Sequence, residues 1–500
     1  MSERLVLVTG ATGYVGGRLV PELLRAGYRV RAAARGIDRL RLRPWASHPL
    51  VELTEADVLN ADSLRRAVDG AHATYYLVHS MSQASSHFAK ADRMAARNML
   101  NAAAGARLQR LIYLGGLGDT ASHLSAHLRS RAEVADVLRS GPVPVTVLRA
   151  AMIIGSGSAS FEILRHLVER LPVMITPRWV ATVSQPIAIS NVLAYLVACL
   201  ERPETADQTY DIGGPDRVTY RQLMEIYADE AGVPRPRILS VPVLTPGLSS
   251  YWIHLVTPVP AALARPLAEG LRNPMLVEDT RIRNVIPQHL LTPREAIRRA
   301  LAQLEGPELE SHWSDARRSA PAEWTAPGDP PWTGRRAYTD RRRIEVDAPP
   351  EAVWDVLSRI GGETGWYGVN WLWRVRGVVD RVLGGVGLRQ RSRRTGGALT
   401  TGDMVDFWRV EATVPNARLL LRAEMRLPGR AWLEFFLKPL DHRRTEVVQT
   451  ARFLPRGIAG IIYWYAVSPL HAIVFDRMLR GMARASSARS RGDSLRWNRP

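Results

Sequence analysis

Over the first two hundred residues, short apolar runs alternate with helix-like stretches. The runs Leu5–Val8, Arg29–Ala34, Val51–Thr54, Thr74–Val78, Arg110–Leu114 and Val145–Arg149 have strand length, while Val15–Ala26, Ala61–Val68 and Ala89–Ala104 read as helices. Alternation of this kind predicts repeated βαβ units and a doubly wound parallel sheet, an α/β Rossmann domain. Residues 201–305 are mixed, with a helix at Tyr220–Ala231 and proline-rich connections around Val241–Pro266. A linker rich in proline, glycine and charge, without sustained period, follows at Gly306–Arg335.

Beyond the linker the texture changes. Arg342–Val346 reads as a strand, Pro350–Arg359 as a helix, Val378–Phe453 as β-type segments and Gly457–Ala485 as one long helix, an α+β domain over 336–485 before a basic tail at 486–500. Leu419, Leu421, Ala423 and Met425 alternate with Arg418, Leu420, Arg422, Glu424 and Arg426, as on a half-buried antiparallel strand. No internal repeat is visible.

Five hundred residues predict two or three compact units, and 46% hydrophobic with 23% charged residues fits a globular chain. A single cysteine, Cys199, excludes an internal disulfide and a cysteine-rich zinc site, and no metal is expected. Apolar strand residues begin at Leu5 with no secretory signal before them, so a cytoplasmic location is expected. Of the 67 basic residues only Lys90 and Lys438 are lysine. The net charge of +19 is uneven: 38 basic against 32 acidic residues precede position 336, and 29 against 16 follow. An anionic partner would explain the excess, but no nucleic-acid motif accompanies it, which favours solvated arginine-rich strands.

The sharpest motif follows the first strand: Thr9-Gly10-Ala11-Thr12-Gly13-Tyr14-Val15-Gly16, opening a helix that ends at Gly27. In a Gly-x-x-Gly-x-x-Gly turn the first glycine permits the reversal, the second lets backbone approach a pyrophosphate, and the third lets helix pack on strand. The phosphate rests on bare N–H groups at the positive helix end. Thr9, Gly10, Thr12, Gly13, Tyr14, Val15 and Gly16 are therefore the expected dinucleotide contacts. The second strand ends at Arg35, where an NAD site would place an acid for the ribose 2′-hydroxyl. A guanidinium there pairs with a 2′-phosphate, so NADP(H) is expected over NAD(H), with Arg39 as a second contact. The plainer alternative is that Arg35 points to water. Asp57 and Val58 are placed to meet the adenine edge.

These residues resemble the short-chain dehydrogenase/reductase superfamily in its extended and atypical branches, over roughly residues 1–300. Tyr75-Tyr76-Leu77-Val78-His79-Ser80-Met81, Tyr113-Leu114-Gly115-Gly116-Leu117-Gly118 and Gln185-Pro186-Ile187 are similar to an atypical bacterial subgroup in which a similar second domain follows. The resemblance implies a Tyr-x-x-x-Lys pair with a Ser or Thr, through which a proton reaches the substrate oxygen. That set is missing. The helix expected to carry it reads His127-Leu128-Arg129-Ser130-Arg131, with His127 in the tyrosine position and Arg131 in the lysine position. Gly115 and Gly116 stand where the hydroxyl residue belongs. Either His127 acts as general acid with Arg131 on the ribose, or His127 is an ordinary helix residue and the site binds cofactor without that chemistry.

Further candidates are the loop Gly155-Ser156-Gly157-Ser158, a substrate-edge loop or a flexible connection, and Arg178 with Trp179 and His123 beside the cleft. Cys199, on the apolar helix Leu193–Leu200, reads as core. Ala348-Pro349-Pro350 with Val353-Trp354 is similar to the entry of a START-like helix-grip domain, which implies a curved sheet over a helix and an apolar cavity. Gly365–Trp373 either lines that cavity or fills it. The apolar run Gly457–Phe475 is long enough to raise a transmembrane reading. Pro469, Ser468 and His471 interrupt it, and its aromatics sit inside rather than at the ends, so the helix-grip reading absorbs it and peripheral membrane contact stays open. Three functions compete: an NADP(H)-dependent oxidoreductase of an apolar carbonyl, enone or isoprenoid-like molecule, a cofactor-binding redox sensor or assembly factor, and a lipid-binding peripheral membrane protein.

Overall fold

The computed structural model describes residues 4–490 apart from 80–87, 107, 119–124, 242–256, 258, 272, 303–323, 325–327, 331–332, 334–336, 362–364, 369–370, 373–376, 378–379 and 382–398. The chain divides into two compact units, Met1–Gly306 with Glu310–Gly334, and Pro307–Leu309 with Arg335–Pro500. Most of the linker thus counts with the first unit.

In that unit β1 (Leu5–Thr9), α1 (Tyr14–Arg25), β2 (Arg29–Ala34), α2 (Ile37–Arg41), β3 (Val51–Glu55), α3 (Ala61–Val68), β4 (Ala73–Tyr76), α4 (Phe88–Gly105), β5 (Arg110–Gly116), α5 (Ala126–Arg139) and β6 (Val145–Ala150) alternate as expected. They continue through α6 (Ala159–Arg170), α7 (Ile189–Glu201), β7 (Thr209–Ile212) and α8 (Tyr220–Ala231). The seven strands are parallel in the order β7-β6-β5-β4-β1-β2-β3. β7 is a strand of the mixed 201–305 region that the sequence pattern did not single out. All five residues of β1 are buried, because helices cover both faces. Leu19, Leu23 and Leu196 pack on one side of the sheet, Leu64, Met99 and Leu138 on the other. Cys199 is fully buried on α7, as its apolar surroundings predicted, and burial pushes its thiol up to about 12. The strand order reverses between β1 and β4, which opens a crevice at the carboxyl ends of these strands.

The second unit holds β8 (Tyr338–Val346), α9 (Pro350–Leu357), β9 (Met404–Val405), β10 (Trp408–Val414), β11 (Arg418–Ala423), β12 (Gly429–Pro439), β13 (Thr445–Pro455) and α10 (Gly457–Ser490). Its sheet is antiparallel, in the order β8-β13-β12-β11-β10-β9. Residues 377, 380 and 381 are helical, so among the described residues the β region begins later than expected. Leu420 is buried with Leu419 and Leu421, against the expected alternation, opposite a bulge between Val410 and Ala412. The described aromatics of the 365–373 segment divide. Trp366 is buried, stacks on Phe407 and donates to Asp406 at 2.8 Å, and the Tyr367 hydroxyl donates to the Val356 carbonyl at 2.7 Å, whereas Trp371 is exposed.

Candidate functional site

The site begins with the backbone that leaves β1. Gly10 has φ +71°, and a Cβ there would lie 2.7 Å from the Leu77 carbonyl. A Cβ on Gly16 would lie 2.4 Å from the Gly10 carbonyl, so the third glycine is a packing requirement. Gly13 is the N-cap of α1, offers no side-chain cap, and no acid stands in the first turn. The first-turn N–H groups and the positive helix end are left to a ligand, so the loop fits a dinucleotide diphosphate. Thr9 departs from its expected role. Its hydroxyl donates to the Tyr75 carbonyl at 2.9 Å and accepts from the Leu77 N–H at 3.3 Å, which ties β1 to β4.

At the end of β2, Arg35 and Arg39 are exposed, and neither forms an ion pair among the described residues. Asp57 accepts from the Leu59 N–H at 3.0 Å, while the buried Val58 gives its carbonyl to Asn98 at 3.0 Å. Both stand just past β3, where sequence reasoning placed them.

At the end of β5, a Cβ on Gly116 would lie 2.9 Å from Leu128 Cδ2 and 3.2 Å from Arg131 Cδ, so a serine there would require these side-chain ends from α5 to shift. The Tyr113 hydroxyl donates to the Arg131 carbonyl at 3.2 Å. Arg131 lines a cavity of about 30 Å³ with Tyr113, Gly115, Gly116 and Arg149, room for about one water. Its Nε is buried without a hydrogen-bond partner, and Arg131 makes no ion pair among the described residues. Burial lowers the Arg131 pKa, against the nearby Tyr113 and Asp92, which raise it. Burial, reinforced by the Arg131 charge, pushes His127 down to about 3. That environment disfavours an imidazolium at His127 and accords with the alternative in which it is an ordinary helix residue. His79, against the Tyr113 ring, is likewise held well below the usual histidine value by burial, then by Arg131 and His127. Sequence reasoning quoted His79 but assigned it nothing.

Across the crevice, Gly155–Ser158 is pinned rather than flexible. The Gly157 N–H donates to Glu162 at 2.8 Å and the Ser156 hydroxyl to the Ala300 carbonyl at 3.2 Å. The side chains of Arg178 and Trp179, and all of His123, lie outside the described residues.

Three residues that the sequence did not single out hold the loop from outside. Asp329, in the linker, meets Arg18 of α1 at 2.7 Å and Arg43, just past α2, at 2.9 Å, with side-chain exposures of 3%, 4% and 1%. Arg43 also donates to the Thr12 carbonyl at 2.7 Å, and Arg18 to the Ser156 carbonyl at 2.9 Å. One carboxylate therefore joins the glycine-rich turn to the 155–158 loop. The available signal was Gly17, where a Cβ would lie 2.8 Å from the Arg43 guanidinium carbon.

Residues 10–183 match a family described as NAD(P)H-binding, and residues 332–478 match one described as a protein of unknown function (DUF2867). Cinnamoyl-CoA reductase 1 of Petunia hybrida is 31% identical over 123 residues, 24% of this chain and 37% of that protein. Ceramide reductase of Caulobacter vibrioides is 26% identical over 256 residues, 50% of this chain and 79% of that protein. For the cinnamoyl-CoA and divinyl chlorophyllide reductases of plants, the chain spans between 35% and 62% of the relative's length. Triphenylmethane reductase of Citrobacter sp., solved with NADP(H), superposes with a TM-score of 0.48 at 18% identity, over 59% of this chain and 99% of that one. The first unit has the doubly wound parallel sheet of a Rossmann fold, and residues 10–183 of it match the NAD(P)H-binding family.

Proposed function

We propose that the protein is an NADP(H)-preferring reductase of an apolar, conjugated carbonyl or enone-type molecule. The observation that carries this reading is Arg131: a half-buried guanidinium whose Nε is buried without a hydrogen-bond partner and which makes no ion pair among the described residues, at the carboxyl end of β5, beside a turn that fits a dinucleotide diphosphate. A partly desolvated cation of this kind favours a site where negative charge develops on a substrate oxygen. The bound dinucleotide supplies the hydride.

The chain's residues then have limited parts. The first turn of α1 holds the diphosphate, and Arg35 with Arg39 faces the 2′-phosphate. Arg131 donates to the substrate oxygen or a ribose hydroxyl but keeps its protons. His127 and His79, both neutral, orient and do not protonate. The product's proton comes from solvent, which suits a conjugated acceptor better than an isolated ketone. Relatives named as reductases of cinnamoyl-CoA, divinyl chlorophyllide a and ceramide support the class. The second unit, a helix laid on an antiparallel sheet, we read as a START-like helix-grip module that holds or receives the apolar molecule.

A second reading has its own support. With glycine at the hydroxyl position and His127 neutral, the unit would bind cofactor as a redox sensor without turnover. NADPH oxidation with a panel of apolar enones and carbonyls separates the two. Turnover that falls about 10²–10³-fold in Arg131→Met, with NADPH still raising the unfolding temperature, supports the reductase. Binding without turnover on any acceptor supports the sensor. No stabilisation by NADPH or NADH overturns both.

A further inference from the structure

The terminal helix carries a surface that the core does not explain. Gly457–Phe475 contains no Asp, Glu, Lys or Arg, and its most apolar 18-residue window has a mean hydropathy of 1.6 yet is only 22% buried. The expectation that the domain core absorbs this run is therefore corrected. At about 100° per residue, Ile458, Ile462, Tyr465, Pro469 and Ile473 fall within a stripe about 80° wide. Ile462 and Tyr465 are 63% and 64% exposed, and Ile458 and Ile473 about half exposed. The opposite stripe holds the helix down. A Cβ on Gly460 would lie 2.3 Å from the Pro428 carbonyl, and Trp464 stacks on Tyr338 and Phe453.

This two-sidedness decides between spanning and lying flat. A spanning helix presents apolar surface all round, whereas this one is fixed to β8 and β13 along one side. We propose that α10 lays its outer stripe on an anionic lipid bilayer, as a peripheral membrane anchor. The charge around it matches such a surface. Exposed Arg456 precedes the helix, Arg426 and Arg430 flank Pro428 at its foot, and exposed Arg477 follows Ile473 by about one turn, while Arg480 beyond it pairs with Asp476. No acid lies between Arg456 and Asp476, and the chain from residue 336 on carries 29 basic against 16 acidic residues.

Flotation of the full chain with phosphatidylcholine vesicles, with and without phosphatidylglycerol, tests this. The protein should float with the anionic vesicles and lose binding as salt rises, about fivefold for each basic side chain screened. The double variant Ile462→Glu, Tyr465→Glu should reduce partition at least tenfold, because two apolar side chains no longer enter the interface. Both sites are exposed and lie in the second unit, so the NADPH-induced shift should not change, and Ile458→Glu with Ile462→Glu, which spares the Tyr465–Tyr338 ring contact, should reduce partition likewise. Failure of the native chain to float overturns the proposal, as does equal flotation of the double variant. A concentration-dependent dimer that the double variant abolishes, without flotation, assigns the stripe to a second copy and also overturns it.

Discussion

Asp329→Asn is the most exposed test of how the glycine-rich turn is held. The carboxylate bridges Arg18 at 2.7 Å and Arg43 at 2.9 Å, and all three side chains are at most 4% exposed. At this separation each pairing is worth about 6 kcal/mol of Coulomb energy at an effective dielectric near 20, most of it offset by desolvation when the triad is intact. The offset disappears when only the carboxylate's charge is removed. Two buried guanidiniums lose this carboxylate's charge, and breaking such a pair costs about 3–5 kcal/mol. At roughly 2 °C per kcal/mol for a large domain, the melting temperature of the first unit should fall by about 6–10 °C. Arg43 also donates to the Thr12 carbonyl, so NADPH affinity should drop about tenfold, one lost charge-assisted contact. The assay is calorimetry with and without NADPH, backed by limited proteolysis of the linker, which should become more sensitive. A melting temperature within about 1 °C of the native protein, with unchanged linker cleavage, would refute the claim that the linker carboxylate secures the turn.

Three other outcomes follow from the site. His127, held at about 3 when folded and about 6.5 when unfolded, leaves stability intact above pH about 6.5 and removes it as pH falls toward 3, by up to about 1.4 kcal/mol per unit. Urea titrations of native and His127→Phe protein should therefore diverge in that window, and parallel curves would deny the buried neutral ring. Arg35→Glu should weaken NADPH binding more than tenfold while sparing NADH, measured by calorimetric titration, and an unchanged NADPH affinity would remove Arg35 from the phosphate site. Gly116→Ser, which looks like restoration of the missing hydroxyl, should not raise turnover, because the Leu128 and Arg131 side-chain ends crowd its Cβ and no tyrosine–lysine pair stands beside it. A more active Gly116→Ser enzyme would contradict that reading.

Local pattern carried much of this protein. Six strands of the parallel sheet, the glycine turn and the start of α1 are written in short-range order, since apolar runs and turn glycines act on their own neighbourhoods. Arg35 and Arg131 could be singled out for test because each stands at a fixed offset from such an element. Long-range contacts were not legible. No local rule brings Asp329 to Arg18 across more than three hundred residues, or distinguishes Arg43 among 65 arginines. The neutral state of His127 follows from burial beside Arg131, which is a property of how α5 packs on β5. Likewise the apolar run at Gly457–Phe475 reads the same whether it is core, span or surface, and only its seat on β8 and β13 leaves one stripe facing out. Sequence specified the elements and the residue types at their ends; tertiary structure decided which charges are buried together and which apolar face is left uncovered, because both depend on what the folded chain brings alongside.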